Sequence, residues 1–151
     1  MGRAPARDSG LTIVEMLVVL AILAMAMAAA PTVMDGLNGN RLRAAAIELM
    51  ARLREAHAQA TRTERPAELI LDLARRGSIL STDGLFRPWP SVIDTVAVMP
   101  ASLVTDGTTP VAHIVFHRDG SATAARVVLR HGDLASTIVV DRVTGRVWRD
   151  E

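Results

Sequence analysis

The chain has 151 residues, half of them hydrophobic, with 17 basic residues, 16 acidic residues and a formal net charge of +1. It contains no cysteine, which excludes disulfides, thiolate metal sites and a thiol nucleophile. Roughly the first quarter is a polar leader and an apolar stretch, so somewhat more than a hundred residues remain, enough for one small folded domain.

Residues 1–10 form a short polar leader that ends in Gly10 and carries Arg3, Arg7 and Asp8. Every basic residue of the chain is an arginine. Removing the leader takes away two arginines and one aspartate, which leaves fifteen arginines and fifteen acidic residues. A neutral chain lacks the electrostatic footprint of a dedicated nucleic-acid binder.

An apolar run of 24 residues follows, from Leu11 to Met34. As a helix it would be about 36 Å long, enough to cross a hydrocarbon core of about 30 Å with some tilt. Glu15 is the only charged residue in this run. A charge at mid-membrane costs roughly 2.5–3.5 kcal/mol on insertion scales, so we expect Glu15 to have a partner.

The order of residues 10–15 is Gly-Leu-Thr-Ile-Val-Glu. It resembles the class III signal of type IV pilins and type II secretion pseudopilins, in which Gly precedes a hydrophobic residue, Thr, two apolar residues and Glu. The resemblance implies cleavage by prepilin peptidase between Gly10 and Leu11, followed by N-methylation of Leu11. It also implies that Glu15 pairs with the N-terminal amine of a neighbouring subunit. The family usually has Phe after the cut, where this chain has Leu11.

Two other interpretations of this segment remain open. An ordinary secretory signal peptide would use Ala-x-Ala sites at residues 24–26 or 26–28. Glu15 argues against it, because a carboxylate in the apolar region weakens membrane partitioning without helping signal peptidase. A plain single-span anchor would merely tolerate Glu15 near the membrane interface.

Two features near the end of the apolar run and just beyond it should weaken the helix. Pro31 should kink the helix or free a carbonyl. Residues 35–40 contain two Gly and two Asn; they form either a loop that closes the membrane helix or a soft joint that bends or melts in a filament. An amphipathic helix then ends near Glu64 or Arg65, ahead of Pro66. Its apolar stripe is Leu42, Ala45, Ala46, Leu49, Met50, Leu53, Ala56 and Ala60.

After Pro66 the hydrophobic period changes to two, which predicts strands joined by turns. The predicted fold is therefore α+β: a long N-terminal helix packed on a small antiparallel β head. The predicted segments are a leader at 1–10, a transmembrane stem at 11–34, an amphipathic helix at 35–65 and the head at 66–151. The predicted strands are 68–73, 78–81, 93–99, 113–116, 122–130, 137–140 and 146–149, of which those in the last third form a meander.

Residues 116–121 and 138–147 narrow the resemblance. They read "apolar-Phe-x-x-Asp-Gly-Ser" followed by "Val-Asp-x-x-Thr-Gly-Arg-Val", which is similar to the carboxyl-terminal signature of GspH/FimT-type pseudopilins. The resemblance implies a minor pseudopilin of the type II secretion system, a structural subunit that helps push folded exoproteins through the outer-membrane secretin. The alternative is a FimT-like minor pilin that serves pilus priming or DNA uptake. Residues 66–110 carry no part of this resemblance.

The same resemblance implies location and partners. The chain would cross the bacterial inner membrane once, through residues 11–34, with its head in the periplasm. Its partners would be prepilin peptidase, the inner-membrane assembly platform, the major pseudopilin and other minor pseudopilins, with nucleic acid not expected. It implies no cofactor.

No motif predicts an enzyme or a metal site. The chain lacks Gly-x-Ser-x-Gly, a phosphate-binding glycine loop and His-Glu-x-x-His, and its Asp-Gly pairs do not fit an EF-hand loop. The four histidines (His57, His113, His117 and His131) fit no common metal spacing and are predicted to be surface or turn residues. Arg142, Arg146 and Arg149 could face one way on the last hairpin, but nearby acidic residues favour a solvated strand edge over a nucleic-acid surface.

Overall fold

The computed structural model describes residues 13–100, 104–105 and 109–150. The predicted processing site, Gly10 and Leu11, lies outside these residues. The chain divides into two compact units, one ending at Leu37 and the other beginning at Asn38.

A single helix, α1, runs from Ile13 to Thr63. It continues through Pro31 and through residues 35–40, so of the two alternatives left open for residues 35–40, the loop is wrong. Because a helix gains one hydrogen bond for each added residue once it is nucleated, strong helix formers on both sides can carry it through a weak segment. The kink at Pro31 and the soft joint in a filament stay predictions.

The helix ends at Thr63, one residue before the predicted end. Pro66 disfavours helical backbone at the residue before it, and Glu64 adopts a left-handed φ of 54°, which breaks the helical path. Arg62 lies in the last turn, where its charge is favourable beside the helix carboxyl end.

Nine strands in the described residues form two antiparallel sheets. The first sheet has the order β3-β2-β1-β6-β5 and the second the order β4-β7-β8-β9. The first sheet contains β1 (Ala67–Asp72), β2 (Gly77–Leu80), β3 (Phe86–Pro88), β5 (Val104–Thr105) and β6 (Val111–Phe116). The second contains β4 (Thr95–Met99), β7 (Ala125–His131), β8 (Leu134–Val140) and β9 (Val147–Asp150).

Two features of the head differ from the sequence prediction. Strands β3 and β5 were not predicted; both are short edge strands, and Pro88 in β3 is tolerated because an edge strand has a free side. The predicted meander began with residues 113–116, and this part of the prediction is wrong. The corresponding strand β6 pairs with β1 and β5 in the first sheet, and only β7, β8 and β9 follow one another in the second sheet. The chain therefore changes sheets between Phe116 and Ala125.

One hydrophobic core joins the second half of α1 to both sheets. All eight residues of the predicted helix stripe are buried in it. The sheets contribute fully buried side chains such as Leu69 and Ile114 from the first and Val127 and Ile138 from the second. The α+β prediction of a helix packed on an antiparallel β head is confirmed.

Candidate processing and assembly site

The first half of α1 presents its apolar side chains to the surroundings. Glu15 lies in the first turn and is exposed, where a carboxylate is favourable beside the helix amino end. A continuous exposed apolar surface of this kind requires lipid or protein to cover it. The exposed large apolar residues are Ile13, Val14, Met16, Leu17, Val18, Val19, Leu20, Ile22, Leu23, Met25 and Met27.

The described residues include only part of the predicted span at 11–34. Within that described part of the chain, no helix meets the combined length and apolarity of a bilayer-crossing segment. The pairing of Glu15 with a neighbouring amine stays a prediction.

The two carboxyl-terminal signature segments meet at one helix residue, His57. The His57 Nε2 atom lies 3.1 Å from the Gly120 carbonyl oxygen, within hydrogen-bond distance. Its ring centroid lies 5.7 Å from that of Phe116, with the planes tilted by 51°. Gly145, from the second segment, has a φ of 60°, and a Cβ added there would lie 2.5 Å from the Gly120 oxygen and 2.7 Å from His57 Cδ2. No side chain fits at Gly145, because helix and turn approach it so closely.

Two further hydrogen bonds stabilise the contact between the helix and these segments. Ala122, the residue directly after the first signature segment, donates its N–H to the carbonyl of Arg142 in the second segment at 2.9 Å. The Arg54 guanidinium of α1 donates to the Val147 carbonyl of β9 at 2.9 Å. The signature residues therefore fix the helix to the carboxyl-terminal strands, which is a structural role.

The role of His57 was not predicted from the sequence. It is half-buried on the helix and is neither a surface nor a turn residue. The helical spacing carried a usable signal, because His57 lies four residues after Leu53 and three before Ala60, both fully buried.

The aspartates of the two signature turns are held as carboxylates. The backbone N–H and hydroxyl of Thr144 and the backbone N–H of Val143 donate to Asp141, and this holds its pKa below the ordinary value. Asp119 accepts from the hydroxyl and backbone N–H of Ser121, which lowers its pKa in the same way. Each carboxylate accepts hydrogen bonds from backbone N–H groups that a tight turn would otherwise leave without an acceptor.

The structure does not bring the histidines together. His113 lies on β6 and contacts Glu68 of β1 through Nδ1, while His131 ends β7 with Nδ1 3.2 Å from Asp94 Oδ2. The pKa of Asp94 is lowered mainly by a hydrogen bond from the Gly132 N–H and to a smaller extent by His131. His117 begins the turn that follows β6. In the part of the chain that the structure describes, no cluster of three or more potential metal ligands occurs.

The three carboxyl-terminal arginines occupy different settings. Arg142 and Arg146 are exposed in the turn before β9, whereas Arg149 lies within β9 and is half-buried. Asp150 accepts from Arg126 of β7 at 2.8 Å. Only one of the three predicted arginines therefore lies on a strand, and a cross-strand ion pair lies beside it.

Comparisons with known proteins give two findings. The family described as "Prokaryotic N-terminal methylation motif" matches residues 5–31. Two crystal structures of the type IV minor pilin FimU from Pseudomonas aeruginosa PAO1 are similar in fold. The first, in space group P21, has a TM-score of 0.57 and 19% identity over 74% of this chain and 90% of that one. The second, in space group P65, has a TM-score of 0.50 and 17% identity over 72% and 92%.

No curated protein matches the sequence significantly. At these identities the structural similarity concerns the fold alone. The similar region covers 90% and 92% of the two FimU chains. The chain thus combines a prokaryotic N-terminal methylation motif at residues 5–31 with a helix-on-sheet fold similar to that of a type IV minor pilin.

Proposed function

We propose that this chain is a minor pseudopilin of a type II secretion system, of the GspH class. It is a structural subunit without a catalytic role, and as part of the periplasmic pseudopilus it helps push folded exoproteins through the outer-membrane secretin. The observation that carries the proposal is the methylation motif at residues 5–31 on a chain whose helix packs on a pilin-like β head.

Processing and assembly follow from the motif. Prepilin peptidase cuts between Gly10 and Leu11, both inside the matched range, and the amine of Leu11 is methylated. Glu15 then becomes the fifth residue of the mature chain, and its carboxylate pairs with the N-terminal amine of a neighbouring subunit. The pair sets subunit register and offsets the cost of burying both charges.

The proposed location is the bacterial inner membrane, crossed once by residues 11–34, with the head in the periplasm. The exposed apolar surface between Ile13 and Met27 supports this, because it needs a partner of the same polarity. The assembly platform then transfers the stem from lipid to the filament, where the major pseudopilin and other minor pseudopilins cover it.

A minor pilin of a type IV pilus is the second candidate, serving pilus priming or DNA uptake. The likeness to FimU, which is a type IV minor pilin, favours it. The DNA role is the less favoured form, because the chain after the leader carries fifteen arginines and fifteen acidic residues and has no basic excess.

Deletion of the gene separates the two systems. For the secretion system, we expect folded exoproteins to accumulate in the periplasm while surface pili and motility stay normal, and the wild-type gene should restore secretion. Loss of pili with normal secretion would contradict this proposal and identify the pilus subunit. Cross-linking of the chain to the major pseudopilin gives an independent measurement.

A gel-shift titration tests the DNA form of the second candidate. At near-physiological salt we expect weak binding at most, falling steeply as salt rises, with up to about three counterions released. Tight binding that is lost in Arg146→Ala and Arg149→Ala, but retained in the Arg65→Ala control, would make the DNA-uptake pilin the better assignment.

A further inference from the structure

The four edge strands of the described sheets differ in how they are protected from pairing with another chain. β3 contains Arg87 and Pro88, and β9 contains Arg149 and Asp150. β5 has only two residues. Charge, proline and short length are among the features by which natural proteins block the addition of a strand. The fourth edge strand, β4 (Thr95–Met99), reads Thr-Val-Ala-Val-Met and has none of these features.

The outer edge of β4 presents backbone hydrogen-bonding groups. The Arg130 carbonyl of β7 accepts from the Asp94 N–H at 2.8 Å, so the backbone of Arg130 faces β4. Thr95 lies opposite Arg130. Because backbone groups alternate in direction along a strand, Thr95 and every second residue after it bond to β7. The N–H and C=O groups of Val96 and Val98 therefore point away from β7, to a side where no strand of the described residues pairs with β4.

A groove borders β4 at Thr95 and Val96 and has a volume of about 290 Å³. Three of its lining residues, Leu73, Trp89 and Val96, are half-buried and pack against the hydrophobic core. The core therefore extends to the surface beside this edge. An apolar cavity of about 150 Å³ holds benzene, so the groove has room for an apolar side chain.

The two charged residues that line the groove already have partners. Arg76 donates through Nη2 to the Ile93 carbonyl. Asp94 accepts from the Gly132 N–H at 2.9 Å, and its Oδ2 atom lies 3.2 Å from His131 Nδ1. Neither charge requires an ionic partner from outside. The groove and the uncharged edge strand therefore both suit an uncharged occupant.

We infer that β4 binds an extended, uncharged segment of another protein chain, which adds one strand to the second sheet. Main-chain hydrogen bonds to Val96 and Val98 supply affinity in this mode of recognition, and pockets for alternate side chains supply specificity. A residue opposite Val96 places its side chain on the same face of the sheet as Val96, and this directs it toward the groove.

A second copy of this chain does not suit the same edge. Two β4 strands paired antiparallel would be related by a two-fold axis perpendicular to the sheet. This axis reverses the direction of α1, so the two stems would point in opposite directions and could not lie in one membrane. The inference rests on the proposed function only in this step, which takes neighbouring chains to be subunits in the same membrane.

Amide hydrogen exchange, measured by NMR on the detergent-solubilised full chain, tests whether the edge is free. The Val96 and Val98 amides should exchange at least tenfold faster than the Ala97 amide, which faces β7 opposite Val128. Equal protection of all three amides would show that the edge is already covered and would overturn the inference. A dimer that dissociates in Val96→Pro would overturn it as well, because the occupant would then be a second copy.

The uncharged peptide acetyl-Thr-Val-Thr-Val-Thr-amide is the probe for binding. Its addition should slow exchange at Val96 and Val98 at least tenfold. N-methylation of both peptide valines should abolish this effect, because their N–H groups face β4 when their side chains face the groove. N-methylation of the central threonine, whose N–H points away, should preserve it. Equal results for the two methylated peptides would contradict strand addition, and equal binding when both valines are replaced by lysine would contradict an uncharged occupant.

Val96→Pro tests the same contact from the side of the protein. Proline removes an N–H that faces outward, which an edge strand tolerates, so peptide affinity should fall at least tenfold while the fold persists. Val96→Thr keeps the N–H and nearly the same shape, and it should bind as tightly as the wild type. Full affinity in a folded Val96→Pro variant would reject the inference. If this variant does not fold, the methylated peptides decide the question with the wild-type chain.

Peptide binding does not depend on processing of the leader. An unprocessed leader would remove the proposed function and leave binding at β4 in place. A correctly processed chain whose Val96 and Val98 amides do not respond to the peptide would remove only this inference.

Discussion

The two halves of α1 differ in the exposure of their large apolar side chains. Between Ile13 and Met27 the large apolar side chains are exposed, with Ile13 at 81%, whereas on the stripe from Leu42 to Ala60 they are buried, with Leu53 at 0%. In the second half the covering surface is the chain's own two sheets. In the first half it must come from lipid or from other protein.

This contrast shows how the distribution of apolar residues along a helix determines what covers them. Burying a leucine-sized side chain is worth roughly 1.5–3 kcal/mol, so each apolar stripe favours a covering surface wherever one is available. A helix with an apolar stripe on one side and charged residues on the other sides packs against one folded surface. A helix segment that is apolar on every side has to be surrounded by lipid or protein. Five experiments test this comparison, from the largest expected effect to the smallest.

Gly10→Ala tests whether the leader that precedes the first half of α1 is removed at the predicted site. We expect almost no processing, since the peptidase needs glycine before the cut, whereas the wild type should begin at N-methylated Leu11. Intact-mass analysis of membrane-extracted protein measures both. Gly2→Ala, in the same leader, should be processed normally. A mature start at Met27 or Ala29, after an Ala-x-Ala site, would reject the pilin-type signal.

Glu15→Val makes the run from Ile13 to Met27 uniformly apolar. Insertion and processing should persist, because a polar cost is removed. Co-purification with the major pseudopilin should fall at least about tenfold, because the neighbour's amine would be left buried without its partner. Val18→Ala, an exposed position on the same helix, is the matched control. Wild-type assembly by Glu15→Val would show that amine pairing is not needed here.

Gly145→Ala tests how the second half is fastened to the head. The new Cβ would meet the Gly120 oxygen and His57, in a backbone with a φ of 60°. Strain and overpacking together should cost about 2–6 kcal/mol of unfolding free energy. Thermal unfolding followed by circular dichroism measures the loss. Gly132→Ala is the control, because its φ is 52° but nothing lies within 4 Å; an equal loss in both variants would mean that backbone strain alone matters.

Leu53→Ala and Ile47→Ala compare the two faces of the second half directly. Leu53 is fully buried, and its truncation should cost about 2–5 kcal/mol. Ile47 is 61% exposed, and its truncation should change stability by less than about 0.5 kcal/mol. Chemical unfolding of the detergent-solubilised chain gives both values. Similar losses at the two positions would contradict the described packing of α1.

Acid should loosen the head through its turn aspartates. Since hydrogen bonding lowers the pKa of Asp119 and Asp141 in the folded chain, their contribution is full above the ordinary aspartate value of 3.8. It is lost as the pH falls below that value toward the lowered pKa. Thermal unfolding between about pH 5 and pH 2 should show the decline. Asp141→Asn keeps an acceptor but does not titrate, so it should flatten the decline, and an unchanged slope would reject the assignment.

Local patterns in the sequence determined the helix stripe and the turns. The buried positions from Leu42 to Ala60 follow from helical spacing, and the Asp-Gly and Thr-Gly pairs mark turns, because these features depend on residues close together in the chain. The prepilin-type motif is also a local pattern, which is why residues 5–31 suffice to match it. The α+β class follows from the change of period after Pro66.

Only the tertiary structure decided which distant segments meet. Strand spacing does not say which strands pair, so the division into two sheets, the edge strands β3 and β5 and the place of β6 depend on long-range contacts. His57 and Gly145 are brought together only when α1 lies against the last turn. Arg52 reads as one charged residue of an amphipathic helix, yet it is buried against Ser78, 26 positions away. Its environment comes from packing between remote segments, and no local pattern encodes it.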